Sequence, residues 1–244
     1  MLAAALDWWR EAGVDCAFLD EPQGWLAEPA AAVDDRLVRA PIQPPAAEKP
    51  APAPAQRLGG DPARYPQSLE EFARWWLTEP SLDPAPPNQR VPPMGQAGAE
   101  LMVLVGTPEP GDEAVLLSGK AGQLLDAMLA AFALSRDRIY LASALPAPSP
   151  MPDWTALAEA GLTEVVRHHI RLAAPKRLLV LGRSVASTLF SHDPAKNAQT
   201  LPAFNHEGTS LPFMASFDLE AMLAKPVLKA GVWKSWLEWT GSDT

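Results

Sequence analysis

The sequence predicts an α/β fold in which helices flank a parallel sheet. Runs of large apolar residues occur at Leu101–Val105, at 136–144 and at 177–181, and such runs are typical of strands that are covered on both faces. Each run is followed by a turn that contains Gly, Pro or Ser and then by a helical pattern. Strands that alternate with helices in this way indicate a parallel sheet.

The composition allows one domain of ordinary size with extensions. Of the 244 residues, 48% are hydrophobic, so the chain can bury a core, whereas its 27 prolines must lie mainly outside that core. The net charge of −9 argues against autonomous binding of DNA, which needs a basic face. The single cysteine, Cys16, excludes an intramolecular disulfide and a four-cysteine metal site. Since the sequence shows no signal peptide and no apolar run of about 18 residues, we expect a soluble cytoplasmic protein.

Residues 1–27 have the pattern of a short helix followed by an extended apolar peptide, with Gly13 where the helix would end. Two interpretations remain open. The segment either packs on the domain, or it binds a partner protein through its large apolar residues, which are Trp8, Trp9, Val14, Phe18 and Leu19.

Residues 28–66 are predicted to form a disordered linker, because Pro and Ala dominate there and large apolar residues are scarce. A spacer is favoured over a binding site for a proline-motif reader. We place the globular domain at 67–244. Its first helix is predicted at 68–77, where Ser68 and Glu71 form a capping-box pattern.

The stretch that follows Leu101–Val105 is the best candidate for a site. Glycines and prolines interrupt the chain at 106–111, and ligands of open α/β sheets bind beyond the carboxyl ends of strands. Ser118 is expected to cap the next helix. The later elements are one or two helices at 154–174 with a break at Gly161, a helix at 185–190, a fourth strand at 211–216, a helical turn capped by Asp218, and a last helix from Pro226 to about Trp239.

At residues 118–146, SGKAGQLLDAMLAAFALSRDRIYLASALP, the sequence resembles the uracil-DNA glycosylase superfamily, and in particular its bacterial iron–sulfur (family 4) class. The resemblance continues through HHIRLAAPK, LLVLGRSVASTLF and KPVLKAGVWKSW. It implies a three-layer α/β/α sandwich around a four-stranded parallel sheet.

The motifs that carry catalysis in this family are altered here. After the first strand the family has Gly-Glu-x-Pro-Gly, whereas this chain reads Gly106-Thr107-Pro108-Glu109-Pro110-Gly111, with the glutamate displaced. The family's Pro-Phe pair, whose aromatic ring stacks on the flipped base, is matched by Leu116 and Leu117. Aliphatic side chains lack the π-face that base stacking requires.

Two further family positions also differ. The asparagine that reads the edge of uracil is matched by Ser143, whose hydroxyl cannot present a paired donor and acceptor. The loop whose histidine stabilises the departing uracil is matched by Ala215-Ser216-Phe217-Asp218, and an aspartate would repel a developing anion. If the chain is active, the candidate catalytic residues are Glu109, Asp112, Ser143 and Asp218.

The family 4 class holds its iron–sulfur cluster on four cysteines. Their positions correspond roughly to Glu79, Leu82, Ala147 and Leu162, none of which can be a thiolate ligand. We therefore expect no cluster, no other metal and no cofactor.

Four other patterns each have two interpretations. Gly182, Arg183 and Ser184 stand at a helix start, where free N–H groups can hold a phosphate, although an ordinary helix start is favoured. For the other three patterns a structural role is favoured. His168 and His169 are interpreted as a solvated or partly packed pair rather than a metal half-site, and Asp112 and Glu113 as a solvated loop rather than an acid–base pair. Core packing is favoured over a recognition surface for Trp233, Trp236 and Trp239.

Two functions follow from the resemblance. The favoured hypothesis is a non-catalytic scaffold in DNA replication or repair, similar to the psi subunit of the bacterial clamp loader, which shares the fold but lacks glycosylase motifs. LDWWREAGVDCAFLDEP resembles the psi peptide that docks on the clamp-loader collar, and ASFDLEAMLAKPVLKAGVW resembles the psi tail. We expect residues 1–26 to bind a replication or repair protein, with weak contact to DNA at most and none to a membrane. The alternative is a divergent glycosylase that excises uracil or another damaged base.

Overall fold

A computed structural model describes residues 57–190, 203–206 and 209–241, with side chains at all of these except 203–206 and 209–210. The chain divides into two compact units, 1–49 and 50–244, and the described residues all belong to the second. The predicted partner-binding segment 1–27 and most of the predicted linker therefore lie outside the described residues.

The described part of the second unit is built around one five-stranded sheet. The strands are β1 (Leu101–Val105), β2 (Ile139–Ser143), β3 (Leu178–Leu181), β4 (Ala203–His206) and β5 (Thr209–Ser216). They lie in the order β2-β1-β3-β5-β4. The first four strands in this order pair in parallel, whereas β4 pairs antiparallel with β5.

The predicted four-stranded parallel sheet is thus confirmed, and β4 extends its edge beyond the prediction. β4 and β5 form a hairpin in which Ala203 is opposite Pro212 and His206 is opposite Thr209. Because β5 pairs with β4 from its first residue, it begins at Thr209 rather than at residue 211.

Seven α-helices occur within the described residues. They are α1 (Leu69–Thr78), α2 (Lys120–Ala131), α3 (Trp154–Glu159), α4 (Leu162–Ala173), α5 (Arg183–Phe190), α6 (Leu219–Ala224) and α7 (Leu228–Gly241). Gly161 separates α3 from α4 with a φ of 113°, which confirms the predicted break. Ser68 caps α1 by accepting a hydrogen bond from the Glu71 amide, as the sequence predicts. None of these helices is both long and apolar enough to cross a bilayer.

Alternate residues of β1 divide the core into two layers. Leu101, Val103 and Val105 pack in a cluster with side chains of α2, α6 and α7. Met102 and Leu104 point to the opposite face, into a cluster with α4 and α5. All five side chains of β1 are buried, because a parallel sheet between two helical layers leaves neither face to solvent. This arrangement is the three-layer α/β/α sandwich that the resemblance implies.

The folded domain begins earlier than the sequence predicts. Tyr65, which we assigned to the linker, is buried in a third cluster with Phe72 and Trp76 of α1. The Pro66 carbonyl accepts a hydrogen bond from the Nε2 of His168 on α4, at 2.6 Å. Residues 57–66 therefore belong to the domain, since an aromatic anchor at position 65 fixes this stretch against α1 and α4.

Candidate functional site

A cavity of about 600 Å³ opens at the carboxyl ends of β1 and β3. Its wall is formed by the turns that follow these two strands, by Leu117 and Ala121 near the start of α2, by residues 149–152 and Trp154 after β2, and by residues 218–220 after β5. Volumes in this range are ordinary for sites that hold small ligands. The chemistry available to the cavity depends on the polar side chains around it.

Glu109 serves as a cap for helix α2. Its Oε1 accepts a hydrogen bond from the Ala121 amide at 2.9 Å, and its Oε2 accepts hydrogen bonds from the amides of Gly119 and Gly122 at 3.1 and 3.3 Å. These amides belong to the first turn of the helix, which has no intrahelical acceptors for them and which favours a negative charge. The carboxylate of Glu109 therefore stabilises the start of α2.

The predicted cap of α2 is wrong, because Ser118 is bonded elsewhere. Helix α2 begins at Lys120, and Gly119 occupies the capping position without a side chain. The Ser118 hydroxyl donates to Oδ1 of Asp112 at 2.7 Å. Glu109, ten residues before the capping position, supplies the capping oxygens instead.

Asp112 ties the loop between β1 and α2 together. Its Oδ1 accepts from the amide and the hydroxyl of Ser118, at 2.8 and 2.7 Å. Its Oδ2 accepts from the amides of Glu109 and Leu117, at 2.9 and 2.7 Å. With 6% of its surface exposed, Asp112 does not lie in a solvated loop, and this part of the prediction for Asp112 and Glu113 is wrong. Glu113 is exposed.

Ser143 lies apart from the cavity wall. It is buried at the end of β2, and its hydroxyl donates to the Leu145 carbonyl at 2.7 Å. Leu116 and Leu117, which match the family's base-stacking pair, are also buried, and Leu117 forms part of the wall.

The end of the cavity next to β5 is acidic. Asp218 caps α6 by accepting a hydrogen bond from the Ala221 amide at 2.6 Å, as predicted. Glu220 stands beside it in the wall. Burial of part of its surface, followed by the charges of Asp218 and Glu109, raises the pKa of the Glu220 carboxyl above its ordinary value. Two carboxylates therefore stand at this end of the cavity.

The turn after β3 contains the predicted phosphate-binding residues. Gly182, Arg183 and Ser184 all line the cavity, and Gly182 has a φ of 142°. The Gly182 amide donates to the Ser216 carbonyl, which fastens this turn to β5. The Arg183 guanidinium carbon lies 5.1 Å from the centre of the Phe217 ring, so its charge is held over an aromatic face.

Trp154 is an aromatic wall residue that the sequence patterns missed. It is the first residue of α3 and is partly buried. A Cβ atom at Gly106 would lie 3.0 Å from its Cζ2, so the glycine allows the indole to approach the turn after β1. Asp153 caps α3, and this capping signal, just after the proline-broken loop that follows β2, could have placed the indole near the ends of the strands.

His168 and His169 lie within the layer formed by α1 and α4 and are buried, contrary to the prediction of a solvated or partly packed pair. Nε2 of His169 is 2.8 Å from the Tyr140 hydroxyl, and its ring centre is 4.1 Å from that of Phe72. Burial, and then the charge of His168, lowers the pKa of His169 to about 3. His169 is therefore a neutral core residue.

The residues at the four family cluster positions do not fit an iron–sulfur cluster. Leu82, Ala147 and Leu162 are buried apolar side chains, and the Glu79 carboxylate accepts hydrogen bonds from Ser81. No thiolate or imidazole stands among them. Within the ranges that the structure describes, no group of three or more His, Cys, Asp or Glu residues is arranged to hold a metal ion.

Arg90 holds the loop that contains positions 79 and 82. It is buried, and its guanidinium donates to the carbonyls of Trp76, Glu79, Asp83 and Ala85 at distances of 2.6 to 3.4 Å. One planar group thus fixes four points of a proline-rich turn.

A family model for the uracil DNA glycosylase superfamily matches residues 92–234. The chain belongs to this superfamily. The match includes the four parallel strands, the cavity wall and the first half of α7. No curated protein matches the sequence.

Membership in the uracil-DNA glycosylase superfamily accounts for the fold and for the position of the cavity. The side chains at the cavity decide what this member does. In two of the four candidate catalytic residues, both carboxylate oxygens accept hydrogen bonds from the backbone. Asp112 bonds to the loop before α2, and Glu109 bonds to the start of α2. Asp218 lines the cavity, whereas Ser143 does not.

Proposed function

We propose that this chain is a non-catalytic member of the uracil-DNA glycosylase superfamily that acts as an interaction subunit in DNA replication or repair. The observation that carries the proposal is the bonding of Glu109 and Asp112. Each carboxylate accepts at least three hydrogen bonds that shape the backbone. Neither is available to activate water without breaking the loop that contains it.

The electrostatics of the cavity support the same proposal. Excision of uracil leaves negative charge on the departing base, and catalysis requires a donor or a positive charge where that charge develops. The wall next to β5 instead carries Asp218 and Glu220, and burial, followed by the charges of Asp218 and Glu109, raises the pKa of Glu220. Arg183, in the neighbouring turn after β3, has its guanidinium over the Phe217 ring.

The test is an excision assay with excess protein on single-stranded and double-stranded oligonucleotides that contain uracil. We expect the oligonucleotides to remain intact. Asp218→Asn and Asp153→Asn make a matched pair, because both aspartates cap a helix but Asp218 alone of the two lines the cavity. Excision by the wild-type protein and by Asp153→Asn, with a changed rate in Asp218→Asn, would show a catalytic site and reject the proposal.

The proposed interaction with a partner protein is made by residues 1–26. Their likeness to the psi peptide suggests that Trp9 and Phe18 anchor a replication or repair protein, such as a clamp loader. Truncation of an aromatic anchor commonly costs about 2 kcal/mol or more, so Trp9→Ala or Phe18→Ala should weaken recovery of the partner by roughly thirtyfold. Full-length variants with unchanged melting temperatures and unchanged partner recovery would reject this assignment.

A divergent glycosylase is the second candidate, and the open cavity is the observation that favours it. The indole of Trp154 lies in the wall, and an indole can stack on a base. This candidate predicts excision of uracil or of another damaged base. Excision by the wild-type protein therefore decides between the two functions for uracil, and the paired aspartate variants test whether Asp218 takes part.

A further inference from the structure

Helix α7 has apolar residues on a buried face and on an exposed face beside it. Val232, Trp236 and Trp239 are buried against the sheet and α2. On the exposed face Trp233 is 42% exposed and Leu237 is 50% exposed, and Val227, in the turn before the helix, is 78% exposed. Large apolar residues next to one another on an exposed helix face are a feature of surfaces that a partner covers.

The exposed residues form one continuous strip. Val227, Ala230, Trp233 and Leu237 are separated by three, three and four positions, and residues with this spacing lie on one side of a helix. We call this strip the 227–237 face. It belongs to a different surface from the cavity, because the α7 residues do not contribute to the cavity wall.

Trp233 is held in place at the centre of this face. Its ring is parallel to that of Phe132 within 8°, with 6.1 Å between their centres, and Phe132 stacks in turn on Trp236 at 4.0 Å. An indole fixed in this way loses little conformational freedom when a partner covers it. Ordered, half-exposed tryptophans are typical anchors of protein interfaces.

The charges beside the strip identify the kind of partner. Lys229 and Lys234 are exposed and flank it on either side, whereas the whole chain has a net charge of −9. Glu238 approaches Lys234 at 3.8 Å, a distance between exposed groups that provides weak pairing only. Lysines around an apolar strip favour a partner with acidic residues around its own apolar strip.

The same features argue against two other occupants. A second copy of this chain would place lysines against lysines across a symmetric interface. Single-stranded DNA stacks its bases on aromatic rings, whereas three of the four residues of the strip are aliphatic and one face of Trp233 already lies on Phe132.

We propose that the 227–237 face binds an amphipathic helical segment of another protein, with apolar residues along its centre and acidic residues at its edges. This interface is separate from the one proposed for residues 1–26, and it does not depend on whether the cavity is catalytic.

The experiment places a photoreactive phenylalanine analogue at Leu237 in the full-length protein, irradiates cells, and maps the cross-linked peptide by mass spectrometry. Val115 is the matched position, because it is an apolar residue of similar exposure, 43%, in the loop before α2. We expect an adduct from position 237 and not from position 115. The captured peptide should have a net negative charge and apolar residues three or four positions apart.

Charge variants complete the design. The double variant Lys229→Glu/Lys234→Glu should lower the yield of the adduct about tenfold, because attraction to acidic residues becomes repulsion. The control, Lys120→Glu/Lys176→Glu, makes the same change at two exposed lysines on other surfaces and should leave the yield unchanged. Absence of an adduct, an adduct with a second copy or with DNA, a basic peptide, or equal loss in both double variants would overturn the proposal.

Discussion

Asp112→Asn tests whether Asp112 is a structural residue or a catalytic one. The asparagine keeps one oxygen and replaces the other with an NH₂ group, which donates hydrogen bonds and cannot accept them. Either orientation places this NH₂ against two donors, which are the amides of Glu109 and Leu117 or the amide and hydroxyl of Ser118. The variant therefore loses two hydrogen bonds to a charged acceptor and leaves buried donors without a partner.

The magnitude follows from the number of bonds lost. Hydrogen bonds to charged groups contribute about 1.5–3 kcal/mol each. Two of them, in a site where 6% of the aspartate is exposed, give an expected loss of about 3–6 kcal/mol in the free energy of unfolding. This is a large share of the total stability of an ordinary domain, which is about 5–15 kcal/mol.

Unfolding in urea, followed by tryptophan fluorescence, measures this loss. Glu113→Gln is the matched control, because it removes a neighbouring charge that is exposed, and it should change the free energy of unfolding by less than about 0.5 kcal/mol. If Asp112→Asn remained within 1 kcal/mol of the wild type, the structural role argued from the four hydrogen bonds would be refuted. Loss of a measurable base-excision activity at unchanged stability would identify Asp112 as catalytic instead.

Three further predictions concern the core. Arg90→Leu should destabilise the protein by about 3–5 kcal/mol in the same urea assay, since four carbonyls lose a buried cationic donor, whereas Arg64→Leu, at an exposed arginine, should have little effect. Because His169 has a pKa of about 3 in the folded protein against an ordinary 6.5, its contribution to stability is present above pH 6.5 and falls as the pH drops towards 3. Between pH 8 and pH 5, the wild type should therefore lose about 2 kcal/mol more than His169→Phe does, and equal losses would contradict the neutral state of His169. Protein purified without oxygen should show neither visible iron–sulfur absorption nor stoichiometric iron, and one cluster per chain would contradict the argument from Leu82, Ala147 and Leu162.

The parallel strands and most of the helices could be predicted, although not all of their first residues, because their signals are local. β1 is a run of five apolar residues, and Gly161 adopts a left-handed conformation that most residues avoid. β4 could not be found in this way. Its sequence, AFNH, has neither an apolar run nor a strict alternation, and it is ordered as a strand by pairing with β5.

The roles of the polar residues depended on contacts that periodicity does not encode. The family motif contains a glutamate near position 109, so the sequence made Glu109 a candidate catalytic residue. In the structure Glu109 instead caps α2, through hydrogen bonds from amides ten to thirteen residues away. The histidine pair was misjudged for a similar reason. Since α4 packs between the sheet and α1, His168 faces Pro66 while His169 faces Tyr140, and two adjacent helical positions are both buried.

The cavity itself is weak evidence for catalysis, because the topology of the sheet creates it. β1 and β3 are neighbours, but the chain leaves β1 towards α2 in one layer and leaves β3 towards α5 in the other. The two turns diverge, and a crevice remains between them in any α/β sheet with this switch. Activity depends on which side chains face the crevice, and here Glu109 and Asp112 brace one turn while Asp218 starts the next helix. If the proposed non-catalytic function is right, a single substitution to histidine at position 218 should give no excision in the oligonucleotide assay, because the loop that must hold the base is built by carboxylates that cannot leave their amides without unfolding it.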